Sequence, residues 1–311
     1  LLTLRLPGAR RKLRLLEIEP LVVQHHAPPS APPLPPFTPP HYPPGYVMSP
    51  TDDLASAIAN AEAGAELILG DGQYGFYGPS GWGVTFLALM RDITIRAFNP
   101  GNVVIHGRHV FGTIVLNIGG GSTVVLNGLA ITGGRSDDGA GFRLASGSTA
   151  TFVNCSIYGN RAHEGSFGHG DSRGAGGTSA GTLNILDSNI FSNTARGGGG
   201  LLIEGGVATI TNTRIYQNFA YHRGSGIWLT GGQLIAIRVS ITDNILHSDT
   251  ANSALQIEAG SATLIYSQVS GNDNAAACSS CYANAKVTGS SSVCVLPSPA
   301  AFLANDSVFL E

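Results

Sequence analysis

An aliphatic residue followed three positions later by asparagine recurs about every 26 residues between residues 112 and 274. Two short apolar segments precede each occurrence, and glycine flanks the first of them. A repeat of this length is typical of a solenoid, in which each repeat forms one coil and buries its apolar side against the next coil. The five occurrences are Ile157–Asn160, Ile190–Asn193, Ile215–Asn218, Ile241–Asn244 and Val269–Asn272.

The composition agrees with a solenoid and limits the classes of partner that we expect. Glycine accounts for 42 of the 311 residues and only 12% of residues are charged, which indicates many tight turns. The formal net charge is -3, and five of the 17 basic residues lie in the first 19 positions, so the remainder is acidic. We therefore expect no nucleic-acid partner. The sequence also lacks an apolar run long enough to predict a membrane-spanning segment.

Three parts are expected along the chain. Residues 1–50 are basic and then rich in Pro-Pro pairs, which favour extended polyproline II and predict a largely disordered leader or stalk. A docking ligand and a glycosylated spacer are the alternatives for this leader. Residues 51–274 predict the solenoid with an N-terminal cap. Residues 275–311 predict a Cys-containing tail or the start of a further module.

The cap is predicted from a short amphipathic helix and a strand. Thr51 is a candidate N-cap for a helix that presents Leu54, Ala57, Ile58 and Ala61 on one face and ends at Gly64. The apolar segment 67–69 then predicts a buried strand. A cap is needed because an open end would expose strand edges and apolar core.

The coils align so that side chains of one kind fall in columns. Alternation along a strand has period two, so alternate aliphatic residues should point inward and stack from coil to coil. The predicted interior columns of the first strand are Leu116, Phe142, Leu201, Ile227, Leu255 and Ile118, Leu144, Ile203, Leu229, Ile257. The predicted column of the second strand is Leu126, Phe152, Ile185, Ile210 and Ile237, and the aliphatic residues before each asparagine form the third wall.

The recurring asparagines are predicted to be structural. Asparagine suits tight turns because its side chain bonds to nearby backbone and tolerates left-handed geometry. We expect Asn160, Asn193, Asn218, Asn244 and Asn272 to stack at one turn and to bond from coil to coil.

These coils resemble the right-handed parallel β-helices of the pectin lyase-like superfamily over roughly residues 52–274. The glycine-rich strand starts and the aliphatic-x-x-Asn turns also loosely resemble the repeats of polymorphic outer-membrane proteins, although Ile or Val stands where those repeats have Phe. The resemblance implies an all-β right-handed parallel β-helix of about eight coils. The superfamily includes polysaccharide lyases and hydrolases as well as noncatalytic surface proteins, so the fold does not choose between them.

The outward side of the first strand is where a catalytic groove is expected. The register places Glu204 and Glu258 two coils apart, roughly 9.6 Å between backbones. This is close to the carboxyl separation of inverting glycosidases, about 6.5–9.5 Å. Trp228 is expected to be exposed between them as a sugar platform, with Arg143 in the same outward column. Isolated carboxylates on the solvent-exposed face of a strand more often serve solubility than catalysis.

A lyase of the calcium-dependent kind is the alternative chemistry. It needs clustered carboxylates to hold the cation and an arginine near the substrate. Asp137 and Asp138 precede Arg143 in a glycine-rich turn, which is more often a solvated turn. Calcium is therefore expected only under the lyase alternative, and no other cofactor or metal is expected.

The loop edge after each asparagine is the other candidate surface. The coil from Asn160 to Asn193 spans 33 residues where its neighbours span 25 or 26, and insertions in solenoids often mark the binding side. His163, His169, Asp171 and Arg173 lie in this insertion, and Tyr221 and His222 are expected on the same edge as candidate carbohydrate contacts. The two histidines have no recognised metal-ligand spacing.

The cysteines predict two different environments. Cys155 falls in a column of small or apolar residues, so we expect a buried free thiol. Cys278, Cys281 and Cys294 follow the last coil, lack a fourth zinc ligand and predict disulfides of an extracellular module.

Two functional hypotheses follow. The first is a noncatalytic extracellular or cell-surface β-helix that displays its loop edge for adhesion, carbohydrate contact or wall assembly, with polysaccharide or extracellular-matrix components as partners. The second is a polysaccharide-active enzyme, either a lyase or an inverting glycoside hydrolase. The sequence favours the first, because the outward positions differ in chemistry from coil to coil.

Overall fold

The computed structural model describes residues 45–75, 84–162, 172–247 and 253–272, and the backbone of three strands between residues 276 and 294. The leader over residues 1–44 lies outside the described residues. The N-terminal elements are β1 (Val47–Met48), α1 (Leu54–Asn60), β2 (Ala65–Leu69) and β3 (Gly72–Gly75).

Three parallel sheets surround the apolar core. Sheet 1 contains β4 (Val84–Leu89), β7 (Thr113–Ile118), β10 (Phe142–Leu144), β13 (Gly177–Ser179), β17 (Leu201–Ile203), β21 (Ile227–Leu229), β25 (Ser253–Ile257) and β28 (Ala276–Ser280). Sheet 2 contains β1, β2, β5 (Ile93–Ala97), β8 (Thr123–Asn127), β11 (Thr149–Val153), β14 (Thr182–Leu186), β18 (Val207–Thr211), β22 (Gln233–Ile237), β26 (Ser261–Ile265) and β29 (Lys286–Ser290). Sheet 3 contains β3, β6 (Val103–His106), β9 (Leu129–Thr132), β12 (Ser156–Tyr158), β15 (Asn189–Phe191), β19 (Arg214–Tyr216), β23 (Ser240–Thr242), β27 (Gln268–Ser270) and β30 (Val293–Cys294).

The chain visits sheets 1, 2 and 3 in turn, and each strand pairs with the equivalent strands of the coils before and after it. The predicted all-β parallel β-helix is confirmed by this pairing. Within the described residues, seven complete coils run from β4 to β27 and β28 to β30 add the backbone of one more, close to the eight predicted. No helix in the described part of the chain is long and apolar enough to cross a bilayer.

The interior columns of sheet 1 are confirmed. Leu201 pairs with Ile227, which pairs with Leu255, and all three are fully buried. Between its first and last members, the predicted column skipped β13, because the glycine and serine of this strand give no apolar signal. The Phe142 ring occupies the space in front of Gly177, where an added Cβ would lie 2.0 Å from a ring carbon.

The predicted column of sheet 2 is right except at its last member. Ile210 pairs with Ala236 rather than with Ile237. Ala236 is buried, whereas Ile237 is partly exposed on the outer side. The prediction was one residue out of register, because the larger aliphatic side chain was assigned to the core and a one-residue slip reverses the face.

The cap forms as a helix followed by a strand, with two differences from the prediction. The N-cap is Asp53 rather than Thr51, since the Asp53 side chain accepts a hydrogen bond from the Ser56 N–H and its pKa is lowered by hydrogen bonds from Ser56. The helix ends at Asn60, before Gly64. Leu54, Ala57 and Ile58 are its buried residues.

Both predicted ends of the solenoid lie further out in the structure. Strand β1, assigned to the leader, pairs with β2, and the Tyr74 hydroxyl donates a 2.6 Å hydrogen bond to the Met48 carbonyl. At the other end, β28, β29 and β30 extend sheets 1, 2 and 3 past residue 274. The backbone positions of Cys278 and Cys294 therefore lie on a coil rather than in a separate tail, and Cys281 lies outside the described residues.

Candidate functional site

A further ladder of short strands lies beside sheet 1, formed by the segments that follow the asparagine column. Its strands are β16 (Thr194–Gly197), β20 (Phe219–Arg223) and β24 (Ile245–Leu246). Single bridges extend it towards the N-terminus through Arg161 and Arg135 and, in a second row, through Arg173 and Asp138. We call these strands and the four bridged residues the edge ladder.

The sequence carries a signal for the edge ladder that the sequence analysis did not use. After four of the five asparagines the second residue is small or apolar and faces inward. These buried residues are Ala162, Ala195, Ala220 and Leu246, which follow Asn160, Asn193, Asn218 and Asn244. Buried residues at this fixed distance after the asparagine give these four coils a fourth short wall.

The edge ladder covers much of the outward side of sheet 1. Leu202 and Gln256 are buried, and Trp228 is only 5% exposed. The expected exposure of Trp228 is therefore wrong. The chain bends from the edge ladder into β21 at Gly224, where φ is +53° and an added Cβ would lie 2.6 Å from the Trp228 Cβ. Glycine is required there because φ is positive and a side chain would meet the Ile227 carbonyl and the Trp228 backbone.

Arg143 is exposed in the same outward column, at the end of sheet 1 that the strands of the edge ladder do not reach. Its guanidinium lies 3.8 Å from Asp138, whose Oδ1 accepts a 2.7 Å hydrogen bond from the Thr178 hydroxyl. Asp137 is exposed beside it. Among the described residues no three His, Cys, Asp or Glu side chains come together as metal ligands. Asp138 is thus engaged by Thr178 and Arg143 rather than directed at a shared cation position.

Glu204 and Glu258 directly follow β17 and β25 on the outward side of sheet 1. Each is held by an arginine of the edge ladder. The Arg173 Nη1 lies 3.4 Å from Glu204 Oε1, and the Arg223 Nη1 lies 2.8 Å from Glu258 Oε1. Both ion pairs join one coil to the next, so the two carboxylates belong to two separate pairs.

Aromatic and basic side chains meet on the outer side of the edge ladder. The Tyr221 ring, which is 43% exposed, packs edge-to-face against Phe219 at 4.9 Å and His247 at 5.8 Å between centroids. On the neighbouring position the His222 Nε2 lies 3.1 Å from the Arg196 guanidinium. We call Phe219, Tyr221 and His247 the aromatic edge.

The enlarged coil is described only in part. Arg173 lies in the edge ladder and pairs with Glu204. His163, His169 and Asp171 lie outside the described residues, so their predicted roles on the loop edge stay predictions.

The first four asparagines of the column are buried at the turn between sheet 3 and the edge ladder, and Asn272 at its end is partly exposed. Each side-chain amide donates to the Oδ1 of the next asparagine, at 3.1 Å from Asn160 to Asn193 and at 3.0 Å for the following three steps. The same amides donate to main-chain carbonyls of the preceding coil, as Asn218 does to Ile190 at 3.0 Å. These side chains hold coils together, and the four buried ones are not accessible to a ligand.

Cys155 lies on the turn between sheets 2 and 3 as a buried free thiol, as predicted. Burial raises the pKa of its thiol to about 11, which leaves it protonated and unreactive at neutral pH.

No protein-family model matches the sequence, and no curated protein matches it. Among solved structures the protein is similar to the crystal structure of pectate lyase Pel9A, with 14% sequence identity and a TM-score of 0.39 over 79% of this chain and 75% of that chain. The strand pairing, rather than this distant similarity, establishes the parallel β-helix.

Proposed function

We propose that this chain is a noncatalytic extracellular or cell-surface β-helix whose loop edge contacts polysaccharide. The observation that carries the proposal is the aromatic edge, where Tyr221 is exposed yet fixed by ring contacts with Phe219 and His247. An immobilised aromatic ring loses little conformational entropy when it stacks on the apolar face of a sugar. The neighbouring His222 and Arg196 supply polar groups for sugar hydroxyls.

The carboxylates of this surface support binding rather than catalysis. An inverting hydrolase needs one carboxylic acid that carries a proton and one free carboxylate beside it. Glu204 and Glu258 are instead each engaged by an arginine of the edge ladder, so neither carboxylate is free. The enzyme alternative rests on the placement of these two residues two coils apart on one side of sheet 1.

The binding proposal is tested with the full chain on a panel of immobilised neutral and acidic polysaccharides. We expect Tyr221→Ala to weaken binding about 2–10-fold, the contribution of one well-placed aromatic contact. Tyr266→Ala is the matched control, because Tyr266 is 65% exposed on the turn after β26, between sheets 2 and 3. Equal binding by wild type and Tyr221→Ala, or equal losses in both variants, would contradict the proposed role of the aromatic edge.

A further inference from the structure

An exposed side chain, that of Arg223, lies over the Trp228 ring. The Arg223 guanidinium carbon lies 5.6 Å from the ring centroid, and Arg223 is 44% exposed. The Trp228 ring also packs directly against the backbone of Gly197. A Cβ added at this glycine would lie 2.7 Å from a ring carbon. The Arg223–Glu258 ion pair at 2.8 Å fixes the cover from the next coil.

The covered indole keeps an unused hydrogen-bond donor. The Trp228 Nε1 is buried and has no hydrogen-bond partner among the residues that the structure describes. An unpaired buried N–H is unfavourable, and a buried indole N–H usually has an acceptor. When Arg223 covers the ring, the indole N–H therefore lacks a hydrogen bond that the acceptor group of a bound ligand would supply.

Moving the cover requires little rearrangement of the chain. The Arg223 carbonyl accepts a 2.9 Å hydrogen bond from the Gly198 N–H, so the backbone stays in the edge ladder while the side chain turns away. Partly exposed ion pairs contribute little to stability, and a cation over an aromatic ring at an exposed site adds only modestly. Tyr221 lies two residues before Arg223 on β20, so an uncovered Trp228 would extend the aromatic edge inward.

We infer that Arg223 is a movable cover over a second sugar subsite, in which a sugar ring stacks on Trp228 and one of its hydroxyl groups accepts a hydrogen bond from the indole N–H. This inference rests on the proposed polysaccharide contact and describes how that contact is regulated. The Arg223–Glu258 pair holds the subsite closed, and a bound sugar displaces Arg223.

The cover is tested first without any ligand, by acrylamide quenching of tryptophan fluorescence. Trp82 and Trp228 are the two tryptophans of the chain, so Trp82→Phe makes the signal report Trp228 alone. In that background we expect Glu258→Gln to raise the quenching constant about two- to five-fold. Loss of an exposed ion pair changes an equilibrium by about this factor, and here the equilibrium is between covered and uncovered Trp228. Glu204→Gln is the matched control, because its partner is Arg173, and it should leave quenching unchanged. Equal quenching in the two variants would contradict the proposed role of Arg223 as a cover.

Ligand binding then separates this inference from the proposed function. The probes are hexasaccharides of β-1,4-linked glucose and α-1,4-linked galacturonate, with affinity measured by calorimetry. We expect Glu258→Gln to bind one of them two- to five-fold more tightly, because a larger fraction of the protein is open, and Trp228→Leu to lose that gain. Binding that depends on Tyr221 but not on Glu258 or Trp228 would overturn the subsite and leave the proposed function standing. Absence of binding in every variant would overturn both.

Discussion

The asparagine column and the edge ladder occupy consecutive segments of the same coils but are built in opposite ways. The column repeats one residue type and one hydrogen-bond pattern, and four of its five side chains are buried. The edge ladder changes chemistry at each coil, with Arg161, Thr194, Phe219 and Ile245 at equivalent positions. The difference indicates that coil-to-coil stability and surface recognition are carried by separate residues and can be changed independently.

The largest expected effect is from a charge placed in an interior column. Ile227 is fully buried between Leu201 and Leu255 in sheet 1. We expect Ile227→Asp to abolish folding, because an unpaired buried charge costs at least about 5 kcal/mol. Circular dichroism and thermal unfolding measure the effect, and Ile227→Leu should cost less than about 1.5 kcal/mol as the volume-conserving control. A cooperatively folded Ile227→Asp protein would show that the interior register is wrong.

The next effect separates a buried ladder position from an exposed one. Asn218→Ala removes the acceptor of the Asn193 N–H and side-chain amide and the donor to Ile190. We expect a loss of about 4 kcal/mol in the free energy of unfolding, since each buried group left unpaired costs about 1–3 kcal/mol.

The control for this loss is Asn212→Ala on the same coil. Asn212 bonds Asp187 and Arg238 on the exposed surface and has a φ of +49°, so its replacement should cost no more than about 2 kcal/mol, mostly from backbone strain. Denaturant unfolding of both variants measures the difference. Similar losses would remove the distinction between the asparagine column and surface side-chain contacts.

A third change should stabilise the coil that differs most from its neighbours. The Ser179 hydroxyl is buried in sheet 1 between Leu144 and Ile203 and has no hydrogen-bond partner within the described part of the chain. We expect Ser179→Ala to raise the free energy of unfolding by about 1 kcal/mol. Ser267→Ala should lower it by about 1–2 kcal/mol, because the Ser267 hydroxyl accepts from the Val239 N–H and donates to the Ala236 carbonyl. A loss in both variants would mean that Ser179 has a partner in solution.

The smallest expected effect on stability comes from a substitution beside the edge ladder. Glu204→Gln removes the ion pair with Arg173, which lies partly in solvent. We expect a change in the free energy of unfolding of no more than about 0.5 kcal/mol, because such pairs are weak. Thermal unfolding at low and at high salt measures it. A loss as large as that of Asn218→Ala would place coil stability in the edge ladder as well.

The sequence predicted the parts of the molecule that repeat. Interior positions such as Ile227 and the asparagine turns could be placed because one pattern recurs in each coil. Prediction failed where a small residue replaces a large one. Ala236 was passed over in favour of Ile237, and β13 was missed because the Phe142 ring fills the space of an absent side chain.

The candidate site was harder to predict because its side chains act across coils. The register placed Trp228 outward, but alternation along a strand does not reveal a second layer above it. The burial of Trp228 depends on Arg223 and on the glycines that let the edge ladder approach, which come from different segments of the chain. The ring contacts of Tyr221 likewise join two coils of unlike sequence.

The most direct test of the account is turnover on the same polysaccharide panel, with calcium or with chelator, recording unsaturated products and reducing ends. The account predicts binding that depends on Tyr221 and no product from wild type, Glu204→Gln or Glu258→Gln. Product formed by wild type and abolished by Glu204→Gln, by Glu258→Gln or by chelator would contradict it and make the protein a polysaccharide-active enzyme.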